Sequence, residues 1–147
     1  MGLIMNLKNK MILTFLSISE NESFARCVVA CFALKLNPSV SQISDIKTAV
    51  SEAVTNAIVH GYNKETGEIE LECEIDENAI HINIIDFGVG IKDVNKALEP
   101  FYTTREDEER SGMGFTIMKS FMDDVSVFSE VGKGTKISMT KVINKNV

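Results

Sequence analysis

Three short segments of this sequence carry residues suited to chemistry. Glu52 and Asn56 lie four apart in Val50–Gly61, where Val50, Ala53, Val54, Ala57 and Ile58 recur at helical spacing. Residues four apart project from one helix face on consecutive turns. A carboxylate beside a carbonyl amide can serve as a general base next to a hard-oxygen metal ligand, and Mg2+ accepts such a neutral oxygen. On spacing alone the pair also fits a solvated polar face. Asp86-Phe87-Gly88-Val89-Gly90 ends an apolar strand with a carboxylate and two glycines. The glycines let backbone approach a flat ligand without Cβ clashes. A carboxylate held there needs hydrogen-bond donors, and an adenine amino group is one. A simple strand-ending turn is the alternative. Ser111-Gly112-Met113-Gly114-Phe115 places glycines before a helical pattern, where free N–H groups and the helix dipole favour phosphate. It lacks the Gly-Lys-Ser/Thr ending of a P-loop.

The elements that must hold these segments follow from periodicity. Lys10–Ile18 alternates as a strand, with Ile12, Leu16 and Ile18 on one side and Leu13 and Phe15 on the other. Ser19 and Glu22 match a capping box for a helix carrying Phe24, Cys27, Val28, Cys31, Phe32 and Leu34, closed by Asn37-Pro38. A second helix is expected from near Ser41 or Ser44, with Gly61 as its C-terminal cap. Ile69, Leu71, Cys73 and Ile75, then Ile80, Ile82 and Ile84, alternate as a hairpin. A short helix over 94–98, a polar stretch over 99–111, a helix from Gly114 to Met122 and a hairpin around Gly132-Lys133-Gly134 complete the chain. This order implies an α+β fold. It is a two-layer α/β sandwich, with helices on one face of a mixed, mostly antiparallel sheet whose other face is partly open.

With 147 residues the chain fits one domain over 1–147, residues 1–8 being expected as flexible or as partly foreign to the natural chain. Lys plus Arg is 15 against 21 Asp plus Glu, a net charge of -6 that argues against gripping nucleic acid or anionic membrane by bulk charge. No segment reaches the ~20 apolar residues of a membrane span, and the start lacks the pattern of a signal peptide. Three cysteines make no closed disulfide framework, so Cys27, Cys31 and Cys73 read as reduced core thiols of a cytoplasmic protein.

In order and spacing, Glu52-Ala53-Val54-Thr55-Asn56-Ala57, Asp86 to Gly90 and Gly112-Met113-Gly114 resemble the N box and two glycine boxes of the GHKL ATP-binding family. Ser19 to Arg26, Val50 to Gly61, Phe101-Tyr102-Thr103-Thr104 and Glu109 to Met118 resemble more closely the bacterial anti-sigma serine kinases of the sporulation anti-sigma-F kind. The resemblance runs from about residue 9 to residue 141. Phe87 departs from it, standing where relatives usually carry a charged or small residue.

The resemblance implies a Bergerat-type sandwich that holds ATP and Mg2+ between helices and sheet. Asn56 would ligate Mg2+, and Asp86 would accept the adenine amino group. Gly88 and Gly90 would shape the adenine side, with Thr135 in support. Gly112, Met113 and Gly114 would line the phosphates, and Thr104, Arg110 and Ser111 would complete the nucleotide contacts. Arg105 and Arg110 could reach the γ-phosphate. Glu52 would take the proton of an attacking serine hydroxyl. His60 and His81 read as structural or nucleotide-adjacent.

The implied partners are a sigma factor, contacted through an exposed Arg26, and an anti-anti-sigma protein phosphorylated on serine. A homodimer through the first strand and first helix is also implied, with no direct nucleic acid and no membrane. The alternatives are an ATP-dependent sigma-binding module without catalysis and a stand-alone ATPase.

Overall fold

The computed structural model describes residues 8–63, 65–99 and 114–144. Among them the chain forms β1 (Asn9–Leu16), α1 (Glu20–Ala33), a 3-10 turn (Leu34–Leu36), α2 (Val40–Asn56) and a wide π-helical turn (Ala57–Gly61). Then follow β2 (Glu68–Ile75), β3 (Ala79–Asp86), α3 (Val94–Ala97), α4 (Gly114–Phe121), β4 (Asp124–Glu130) and β5 (Gly134–Val142). One five-stranded sheet runs in the order β1-β2-β3-β5-β4. Each of its four pairings is antiparallel, so the sheet expected to be mixed holds no parallel pair among the described residues.

Strand alternation decides which side each residue serves. Ile69, Leu71, Cys73 and Ile75 of β2 and Ile80, Ile82 and Ile84 of β3 are buried toward the helices, as are Ile137 and Met139 of β5. Ile46, Ala49, Val50, Ala53 and Val54 of α2 join them, together with Phe115 and Met118 of α4, in one core cluster. α2 packs against both α1 and α4, so it is the central helix of its layer. The open face of the sheet carries polar pairs instead. Asn83 Nδ2 donates to Glu72 Oε1 at 3.1 Å, and Ser138 Oγ donates to Asn83 Oδ1 at 2.7 Å. No helix among the described residues is long and apolar enough to cross a membrane.

Two helix starts differ from the sequence reading. Ser19 sits in helical geometry (φ -55, ψ -35) and its side chain caps nothing, because a capping side chain needs extended backbone at that position. The capping box belongs to α2, which starts from Ser39, two residues before Ser41 and five before Ser44. The Gln42 amide N–H donates to Ser39 Oγ at 3.1 Å, and the Ser39 N–H donates to Gln42 Oε1 at 2.9 Å. Asn37, left-handed at φ 54, reverses the chain ahead of it.

The cysteines divide. Cys73 is buried, and burial pushes its thiol up to about 12. Cys27 and Cys31 are exposed, contrary to the expected core position. The line that α1 buries is Ala25, Val29, Phe32 and Ala33. The line through Phe24, Cys27, Cys31 and Leu34 faces outward, with Phe24 at 49% and Leu34 at 58% exposure.

Candidate functional site

Asp86 is the last residue of β3, opposite Ile69 on β2 and Thr135 on β5. The strand's alternation turns it toward the helices, and it is only 4% exposed. The next residue but one folds back, so that the Gly88 N–H donates to Asp86 Oδ1 at 3.0 Å. Gly61, the last residue of the wide turn after α2, lies against the carboxylate. A Cβ there would sit 2.7 Å from Asp86 Cγ, so no larger residue fits without displacing it. At Gly88 a Cβ would overlap the Gly61 carbonyl. That carbonyl accepts the Val89 N–H at 2.9 Å, and the Gly132 N–H donates to Val89 O at 2.8 Å. Gly90 takes φ +79, a conformation that favours glycine. The glycines thus let three backbone segments close around one acid.

Burial pushes the Asp86 carboxyl above the usual carboxylate range, against the lowering pull of the Gly88 and Thr135 backbone N–H groups.

Beside it, Thr135 is buried and its hydroxyl meets Ser129 Oγ at 2.8 Å. Ser129 Oγ donates to Gly134 O at 3.0 Å and accepts the Ile91 N–H at 2.7 Å. Its one proton being spent on Gly134, the Thr135 hydroxyl is the donor to Ser129. Ser129 thereby fixes the orientation of a predicted site residue, and only its place across the β4–β5 ladder reveals it.

Glu52 and Asn56 are both half-buried on α2, one turn apart as expected. Asn56 ends the regular helix. Beyond it the Tyr62 N–H reaches back five residues to Ala57 O at 3.0 Å, the signature of a π turn. Glu52, Asn56 and Gly61 therefore succeed one another along α2 and its wide last turn, ending on the Asp86 carboxylate. The sequence pattern predicts a helix cap at Gly61; its structural role is the clearance it leaves for Asp86.

Gly114 opens α4, which packs on α2. Thr104, Arg105, Arg110, Ser111, Gly112 and Met113 lie outside the described residues. Arg26 is half-exposed. Its Nη1 meets Glu22 Oε2 at 2.7 Å and donates to Ser51 Oγ at 3.4 Å, and Ser51 bonds the same Glu22 carboxylate. The guanidinium is thus held against α2 one residue before Glu52. His60 is half-buried in the wide turn, and His81 belongs to the far end of the hairpin, bonded to Thr140 and Asp76.

The oxygens of Asn56 and Glu52 suit a hard cation. No group of three His, Cys, Asp or Glu able to hold a metal occurs among the described residues. That donor set fits Mg2+, which keeps its waters and shares phosphate oxygens rather than filling an all-protein cage.

Residues 19–141 match the family model of the histidine kinase-like ATPase domain. The chain is 56% identical to the anti-sigma F factor of Caldanaerobacter subterraneus subsp. tengcongensis, over 97% of this chain and 99% of that one. It is 56% identical to that of Clostridium acetobutylicum (92% and 94% covered) and 51% identical to that of Oceanobacillus iheyensis (95% and 97% covered). The chain belongs to the anti-sigma F factor family, within the histidine kinase-like ATPases.

Solved structures agree on the fold. The RsbU and RsbW domains of a Mycobacterium tuberculosis protein superpose with a TM-score of 0.65 at 17% identity, covering 93% of this chain and 33% of that one. A blue-light activated histidine kinase domain from Erythrobacter litoralis gives 0.53 at 14% identity, covering 83% and 61%. Membership of this ATPase family implies nucleotide binding.

Proposed function

We propose that this anti-sigma F family member binds a sporulation sigma factor in the cytoplasm and uses ATP to phosphorylate a serine of an anti-anti-sigma protein. The observation that carries the reading is the Asp86 carboxylate, buried at the end of β3 and enclosed by Gly61, Gly88 and Thr135. Such an acid accepts the exocyclic amino group of adenine, and the carbonyl of guanine in the same place would repel it.

Asn56 would hold Mg2+, which supplies positive charge to the phosphates when bound. Glu52, one turn earlier on the same face, takes the proton of the acceptor serine as its Oγ bonds to the γ-phosphorus. The bond from that phosphorus to the bridging oxygen breaks, and ADP leaves. Gly114, at the start of α4, would offer helix N–H groups to the phosphates, and Thr104, Arg110, Ser111, Gly112 and Met113 would complete the nucleotide contacts.

Arg26 would serve the sigma contact, presented by its Glu22 and Ser51 bonds. A homodimer is supported by the edge position of β1 and by the outward apolar residues Ile12, Leu16, Phe24 and Leu34.

The test is transfer of labelled phosphate from ATP to a serine-bearing antagonist, run beside sigma capture with ATP and with ADP. Glu52→Gln should keep ATP and sigma binding while slowing transfer by roughly 10²–10⁴-fold. Label found only as free phosphate would make the protein an ATPase. Sigma capture without any transfer would leave a binding module, and near-normal transfer by Glu52→Gln would remove that residue from the mechanism.

A further inference from the structure

Asp86 can select a base only if the turn after it holds still, and one side chain outside the glycine motif ties that turn down. Tyr62 follows Gly61 directly. Its hydroxyl donates to the Glu68 carbonyl at the start of β2 and accepts the Phe87 N–H at 2.8 Å. Because Ile69 is paired with Asp86, Glu68 and Phe87 are the next opposed residues of the β2–β3 ladder. The phenol oxygen bonds both of their backbone groups, where a ladder would join them to one another. The sheet is thus prolonged by one side-chain rung, and β3 is free to bend at Gly88.

The ring is fixed as well. A Cβ on Gly67 would lie 2.6 Å from Tyr62 Cζ, so the chain entering β2 runs directly under the ring. Gly67 is anchored in turn. Its N–H donates to the buried Ser17 Oγ at 2.8 Å, and its carbonyl accepts the Ser17 N–H at 2.8 Å. Desolvation pushes the Tyr62 phenol above its usual value, outweighing the Phe87 N–H bond, so the hydroxyl keeps its proton for Glu68 at neutral pH.

We propose that Tyr62 is a positioning residue that sets purine selectivity, holding the Asp86–Gly88 turn through its two backbone bonds. This rests on the nucleotide reading above. The residue touches no reacting atom. It acts through Asp86, on one side by the covalent link to Gly61 and on the other by the bond to Phe87. The class of ligand it discriminates is the 6-amino purine nucleotide against the 6-oxo one.

The experiment is binding of ATP and GTP to the full chain with Mg2+, for the wild type, Tyr62→Phe, Gly67→Ala and a core control, Ile82→Val. Tyr62→Phe removes the hydroxyl and keeps the ring; Gly67→Ala keeps the hydroxyl and pushes the ring aside. Both should lower ATP affinity by roughly three- to tenfold and leave GTP affinity unchanged, so that the preference narrows by that factor. Ile82→Val should leave the preference intact. Amide exchange at Phe87 should quicken by a similar factor in Tyr62→Phe. Equal weakening of both nucleotides, or an unchanged preference, overturns the role of Tyr62 while the nucleotide reading stands. Wild-type protein that binds neither nucleotide overturns both.

Discussion

The hairpin β2–β3 carries an aspartate at each end, and the two are built to opposite purposes. Asp76 begins the β2–β3 turn, and its Oδ1 accepts the Asn78 and Ala79 N–H groups, both at 2.8 Å. Its Oδ2 meets His81 Nε2 at 2.9 Å. Desolvation pulls its pKa upward, but His81 and the two backbone bonds together win, and the carboxyl falls below its ordinary 3.8. Asp86 also folds a turn around its side chain, yet desolvation dominates there and its carboxyl rises above 3.8. Asp76 is held by two backbone N–H groups and His81, Asp86 by the backbone N–H groups of Gly88 and Thr135. Turn chemistry is shared between them; what separates them is whether hydrogen bonding or desolvation prevails.

The strongest way to break this contrast is to crowd the Asp86 end. Gly61→Ala puts a methyl into the carboxylate and should lower ATP affinity by a hundredfold or more, by about 3 kcal/mol of lost fit. Calorimetry with ATP and Mg2+ checks it, and binding within tenfold of wild type would mean that Asp86 is not the base contact. Next, Asp86→Asn should cost roughly ten- to a hundredfold in ATP affinity and leave GTP binding unchanged or improved, read by competition.

The same variant sharpens the comparison through pH. With its folded pKa raised, Asp86 lends stability below the unfolded value near 4, and that contribution is lost as pH rises through the folded value. Nucleotide-free wild type should therefore lose urea stability from pH 4 upward relative to Asp86→Asn. Asp76 has the opposite sign. Its contribution is present above pH ~4 and disappears as pH falls through the depressed value. Asp76→Asn should cost about 1 kcal/mol at neutral pH, a difference that closes below pH ~4, with ATP affinity unchanged. A drop in ATP affinity for Asp76→Asn would couple the two ends and end the contrast.

Much of this was legible in the sequence, for reasons visible in particular residues. The alternation of Ile69, Leu71, Cys73 and Ile75 placed β2 and the identity of its buried face, because each side chain there meets only one environment. Glu52, Asn56 and Asp86 stood out by type and spacing. What stayed hidden depends on neighbours distant along the chain. Ser19 matched a capping pattern as well as Ser39 did, and backbone geometry alone chose between them. Both lines of α1 are apolar, so composition could not say that Cys27 and Cys31 face outward. Gly61 resembled a helix cap because its real neighbour, the Asp86 carboxylate, is 25 positions away. Tyr62 and Ser129 carry no motif, and their partners are assembled by the sheet register.

The wide turn after Asn56 acts as an index mark in the helix. Its hydrogen bond closes one residue later than that of a regular turn, so it takes up one extra residue within a single circuit. Held to regular winding, the same residues would carry Gly61 about 100° further round the helix axis. Asn56 would stay where it is, while the glycine would swing out from under the acid it clears.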